Sequence, residues 1–257
     1  MKMILFCLLL VSATVNAQYC QVVYISPVSQ DVQKKSNLYE FENADVLVEY
    51  TFWAQNGVMG FLIYNKTDKP IYFDWEKSSM IYDGKRNPYY TNKTTSNYDS
   101  YGYSYGYSWL DPFWESTVNT VSFNHTKTNE TTVKEERITF IPPHSYITNA
   151  YYNLLNSMNF FLNKKANKLT KINDRSVYIN KPHDNISFRN FLTYSSTENF
   201  VSESYIDNEF GINKIVTMNE DYLETRDVDG HYHNDWKKPT RFYIYDIREE
   251  DVFENQN

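Results

Sequence analysis

The run Val46-Leu47-Val48-Glu49-Tyr50-Thr51-Phe52-Trp53 is β-branched and aromatic, too short for a long helix, and followed by the turn residues Gln55-Asn56-Gly57. Short runs of this kind, each closed by turn residues, recur along the chain and constrain its fold more than any other feature. A second strand is expected over 58–64, a turn over 65–70, a third strand over 71–75, a short one over 78–82 and a tight turn at Asp83-Gly84. Together these read as a β-meander. Strand character returns at 137–141, where Pro142-Pro143 ends it, and again at 146–155, 187–194, 211–218 and 240–247. The 24 Tyr and 16 Phe, beside only 7 Gly, suit pleated, half-buried surfaces. With no long amphipathic helix in the pattern, the expectation is an all-β antiparallel sandwich, Ig-like in character, with long loops and no large helical domain. Ile71, Phe73 and Trp75 alternate with Tyr72 and Asp74, so the first three are expected to share the core face.

The N-terminus carries a different signal. Lys2, an apolar run over 3–11 and the small-residue end Val15-Asn16-Ala17 predict a secretory signal peptide over 1–17, leaving Gln18 first after cleavage. The apolar run is about half the ~20 residues a membrane-spanning helix needs, so no anchor is expected after cleavage. Residues 18–45 read as a polar lead-in, 46–247 as the sandwich, and 248–257 as an acidic tail. The Lys- and Asn-rich stretch 163–174 reads as a solvated connection at which the sandwich could divide into two parts. Of the two cysteines, Cys7 leaves with the signal, so Cys20 has no internal partner and packing alone must hold the fold. Cys20 is expected to be a passive residue in a mobile N-terminal segment. The competing reading is a lipoprotein anchored through Cys20; the bulky Tyr19 stands where a small residue belongs and argues against it.

A net charge of -7 without a basic stripe excludes a nucleic-acid binder on electrostatic grounds. Two constellations remain as candidate sites. In Asp227-Val228-Asp229-Gly230-His231-Tyr232-His233, the ligating types Asp227, Asp229, His231 and His233 alternate and could hold zinc from one strand face. The Asp229-Gly230 turn signal interrupts that alternation and favours a solvated hairpin tip. In the Tyr-Gly-Tyr-Ser repeat, Tyr101, Tyr103, Tyr105 and Tyr107 with Trp109 could form an aromatic binding platform. The plainer reading is a long loop or a decorated edge.

No Gly-x-Ser-x-Gly elbow is present, and the acidic neighbours Glu135-Glu136 and Glu249-Glu250 would face apart on a strand. Asn-x-Ser/Thr triplets begin at Asn65, Asn92, Asn124, Asn129 and Asn185, as an Asn- and Thr-rich composition produces.

The stretch Phe61-Leu62-Ile63-Tyr64-Asn65-Lys66-Thr67-Asp68-Lys69-Pro70-Ile71-Tyr72-Phe73-Asp74-Trp75, with Arg137-Ile138-Thr139-Phe140-Ile141-Pro142-Pro143 downstream, resembles uncharacterised exported β-sandwich-type proteins of Bacteroidetes-like bacteria. Its pattern is also similar to Ig-like extracytoplasmic domains. The resemblance implies an exported β-sandwich and no catalytic residues. The expected function is therefore non-enzymatic binding of a protein, peptide or glycan at the cell envelope. The alternatives are a metal-dependent hydrolase built on His231 and His233, and a structural envelope component.

Overall fold

The computed structural model describes residues 18–90, 102–104, 122–124, 136–154, 169–172, 175–181, 186–223, 225–226, 232–233 and 236–248. In chain order the strands are β1 Gln18–Pro27, β2 Val32–Lys35, β3 Leu38–Glu42, β4 Val46–Thr51, β5 Val58–Asn65, β6 Ile71–Asp74, β7 Ser79–Tyr82, β8 Lys85–Pro88, β9 Gly102–Ser104 and β10 Ser122–Asn124. They continue as β11 Ile138–Ile141, β12 Tyr146–Asn153, β13 Leu169–Ile172, β14 Arg175–Asn180, β15 Ser187–Ser195, β16 Ser204–Asn219, β17 Thr225–Arg226, β18 Tyr232–His233 and β19 Arg241–Arg248. The described helical structure is a single 3-10 turn at Glu220–Tyr222.

Among the described residues, one large sheet follows the path β11-β6-β15-β16-β1-β19. The pair β7-β8 adds to it beside β15, and the pair β13-β14 beside β16. A smaller sheet runs β12-β5-β4-β3-β2. Every pairing within these sheets is antiparallel. The sheets pack face to face, which is the all-β sandwich the sequence predicts.

The core lies between the sheets and follows strand alternation. In β4, Val46, Val48 and Tyr50 are buried while Leu47 and Glu49 are partly exposed on the outer face. From the large sheet come Ile71, Phe73, Phe188, Leu192, Ile206, Phe210 and Phe242. Tyr50, Phe52 and Phe210 meet at its centre, with ring centroids 4.8 Å apart for Tyr50 and Phe210 and 5.2 Å for Phe52 and Phe210. Ile71, Phe73 and Trp75 share the core face as expected. Asp74, on the opposite face, is nevertheless 1% exposed. Arg137 Nη2 covers it at 2.9 Å, and Asp74 Oδ1 accepts the Glu76 N–H at 3.0 Å, so its charge and lone pairs are satisfied as burial requires.

Four local readings are corrected. The stretch 18–45 is not a lead-in: it holds β1, β2 and β3, and β1 lies inside the large sheet between β16 and β19. Val23 and Ile25 of β1 enter the sandwich core, while Cys20 and Val22 join a second apolar cluster with Trp53, Val177, Val216, Met218, Leu223 and Trp236. A strand buried on both faces loses the polar alternation by which strands are recognised. Cys20 is accordingly fully buried rather than mobile, and burial, with the nearby Glu220 charge second, pushes its thiol up to about 12.

The meander is also broken, because β5 belongs to the small sheet and β6 to the large one. The β4–β5 hairpin is wider than a two-residue turn: Asn56 and Gly57 both take left-handed backbone, and the Asn56 N–H donates to the Tyr243 carbonyl of β19 at 2.8 Å. A Cβ on Gly57 would sit 2.9 Å from Phe242 Cγ, so both conformation and space require glycine. Finally, 163–174 is not wholly a connection. Residues 169–172 form β13, which pairs with β14, and β14 pairs with β16. As a Lys-bearing strand at the side of the sheet, it lacks the apolar alternation of a central one.

Candidate functional site

Of the residues singled out from sequence, Tyr101, Tyr105, Tyr107, Trp109, Asp227, Asp229 and His231 lie outside the described residues. Tyr103 stands opposite Phe123 in the β9–β10 pair, and His233 opposite Thr225 in the β17–β18 pair. Among the described residues, no group of three His, Cys, Asp or Glu side chains could hold a metal ion.

The structure draws attention instead to the outer face of the large sheet. On β6 and β11, Tyr72 and Phe140 stand directly opposite each other with centroids 5.7 Å apart. On β15 and β16, the Phe191 and Tyr205 rings stack at 5.6 Å and 25°. Strand alternation puts all four away from the core, since Phe73, Ile141, Leu192 and Ile206 take the inward positions. Phe140 is 51% exposed and Tyr205 56%. Polar groups stand beside the rings: Arg189 Nε donates to Asp207 Oδ1 at 2.9 Å, and the Tyr205 hydroxyl donates to Glu203 Oε2 at 2.8 Å. Phe191 is the register partner of Asp207. Tyr72, Phe140 and Phe191 fall in strands expected from the sequence, whereas Tyr205 lies ahead of the strand expected over 211–218, because β16 begins at Ser204; the signal that marks them as surface is their parity against the apolar set on the same strand.

Further along the same face, Tyr24 of β1 pairs in register with Lys214 of β16 on one side and Arg241 of β19 on the other. The register of β1 against β16 slips between Tyr24 and Ile25, leaving Asn213 as the extra residue. That bulge reverses the parity of β16, so Lys214 faces outward where Ile212 faced the core. Lys214 Nζ lies 3.7 Å from the Tyr24 ring centroid and Arg241 Cζ 4.1 Å from it. Burial lowers the Lys214 pKa, and the Arg241 charge lowers it further; burial also lowers Arg241, while Tyr24 and Tyr39 act the other way. Arg241 Nη1 donates to the Trp236 carbonyl at 3.4 Å, and its Nε is buried with no hydrogen-bond partner.

A third feature lies on the small sheet, where Asp31, Gln33, Glu40, Glu42, Asn43 and Lys66 line an open cleft of about 350 Å³. Glu40 is the register partner of Glu49, and burial, with the Glu40 charge second, raises the Glu49 pKa. Lys35 Nζ sits 3.0 Å from Glu40, and Lys66 pairs with Glu42, so these two acids carry cations of the chain itself. No protein-family model, curated protein or solved structure matches the chain.

Proposed function

We propose that this is an exported, non-enzymatic binding protein of the cell envelope that holds a glycan chain on the outer face of its large sheet. The observation that carries the reading is the set of outward rings Tyr72, Phe140, Phe191 and Tyr205, two of them more than half exposed. A sugar ring offers a face of C–H groups that lies flat on an aromatic ring, while its hydroxyls turn to polar neighbours such as Asp207, Arg189 and Glu203. Rings held on paired strands are already ordered, so binding costs little further side-chain entropy. Export is supported by the signal pattern over 1–17. Burial of Cys20 within β1 favours cleavage after Ala17 over lipid attachment at that thiol.

The test is affinity electrophoresis of the chain from Gln18 through gels containing a panel of soluble polysaccharides. Retardation of the wild type by at least one of them, lost in a Phe140→Ala, Tyr205→Ala double variant, is the expected result. Unretarded migration throughout the panel would overturn the glycan reading. Stoichiometric zinc in the purified protein, lost in a His231→Ala, His233→Ala variant, would favour the hydrolase instead.

A further inference from the structure

We infer that Lys214, Tyr24 and Arg241 form a binding site for a single oxyanion group, such as a carboxylate or a sulfate, on the outer face of the large sheet. This site goes beyond the glycan reading and does not depend on it. Its three residues come from adjacent paired strands, β16, β1 and β19, and are held in one row by backbone register. They are partly buried, so their charges are incompletely hydrated and yet open to a small ligand.

Partial burial without a carboxylate sets this row apart, since cations such as Lys34 and Lys85 that also lack one among the described residues are exposed to water. Lys35, Lys66, Lys77, Arg137 and Arg189 each sit on a carboxylate. Lys214 and Arg241 have no such carboxylate partner among the described residues, and the charge that bears on Lys214 is Arg241 itself. Two like charges are thus held on one ring in a protein of net charge -7. The Tyr24 ring attracts both cations through its electron-rich face. That attraction accepts no hydrogen bond from a guanidinium edge, so it leaves the Arg241 Nε–H buried and unsatisfied. An oxyanion supplies the negative charge that this pair of cations lacks, and the enclosed Nε–H lies close enough to the guanidinium charge to report its arrival. The contact from Nη1 to the Trp236 carbonyl holds the guanidinium in place.

The direct test is an NMR titration of the Arg241 Nε–Hε resonance, assigned by its loss in Arg241→Lys, with sodium sulfate against sodium chloride at equal ionic strength. The site predicts a shift that saturates with sulfate and not with chloride. Lys214→Met should weaken sulfate at least tenfold with the urea midpoint unchanged. A sulfate response as linear as that of chloride overturns the site, and so does an unchanged sulfate affinity in Lys214→Met; neither bears on whether neutral polysaccharides bind the aromatic rings. Chondroitin sulfate then identifies the source of the anion. Competition at a tenfold lower concentration of sulfate groups than the inorganic salt assigns the site to an anionic group carried on a chain, and equal potency assigns it to the free ion.

Discussion

The Asn65 side-chain amide, at the end of β5 in the small sheet, donates to the Ile141 carbonyl of β11 in the large sheet at 3.1 Å. The same nitrogen lies 3.0 Å from the Pro142 carbonyl and 2.8 Å from that of Lys69, while Asn65 Oδ1 accepts the Thr67 N–H at 2.9 Å. One fully buried amide therefore shapes the turn between β5 and β6 and ties the end of β5 in the small sheet to β11 at the edge of the large one. A side chain enclosed in this way is a structural part of the fold rather than an acceptor for glycosylation.

Asn65→Ala leaves those carbonyls without their donor and should cost about 1 to 3 kcal/mol. Asn65→Asp should cost more, because a carboxylate would face three carbonyl oxygens. Urea melts of the chain from Gln18 measure both.

Trp75, just past β6, ties that strand to β11 from the core side: its indole N–H donates to the Thr139 hydroxyl at 2.7 Å, and its ring lies 5.8 Å from Phe73. Trp75→Ala should cost about 3 to 5 kcal/mol through the cavity it leaves. Trp75→Phe keeps much of the apolar fill and should lose less than half of that. An alanine midpoint equal to wild type would contradict the register of β6.

Cys20 should be inert while the protein is folded. With its pKa raised from 9.0 to about 12, the thiolate fraction at neutral pH is on the order of a thousandfold below that of a free thiol. Reaction with Ellman's reagent should be slower by at least that factor in buffer than in 8 M urea, a denaturant concentration of about the usual strength. Equal rates would contradict the burial of β1.

Tyr24, Tyr39, Tyr50 and Tyr194 all have raised pKa values, with burial as the first cause. A tyrosine whose folded pKa lies above its unfolded value of about 10 contributes stability that is present below pH 10 and lost as pH climbs beyond it. The tyrosinate absorbance of these four rings should therefore appear only with unfolding, in a cooperative step above about pH 10. Smooth independent titration of every tyrosine in the folded state would contradict it.

Much of the fold was legible in the sequence, because half-buried strands such as β4 and β6 show their alternation directly. Their burial follows it residue by residue, from Val46 to Tyr50 and from Ile71 to Phe73. β1 was missed because Cys20, Gln21, Val22 and Val23 are all buried, which erases the alternation. Sheet membership was missed at β5 and β6 because a turn with Pro70 reads alike whether the chain returns to the same sheet or crosses to the other. The outward aromatic rings lie far apart in sequence, and only the register of β11-β6 and β15-β16 gathers them. The Lys214 row was hidden for a further reason: the bulge at Asn213 changes which residues of β16 face outward, and no residue type announces it.

Glycan binding on the outer face of the large sheet requires the exposed rings Phe140 and Tyr205. Isothermal titration of the most strongly retarding polysaccharide into wild type and into Phe140→Ala, Tyr205→Ala tests it most directly, with urea melts of the same samples. The account predicts binding at least tenfold weaker in the variant, with stability changed by no more than ~0.5 kcal/mol per exposed position. Equal affinity in the two proteins at equal stability would contradict it.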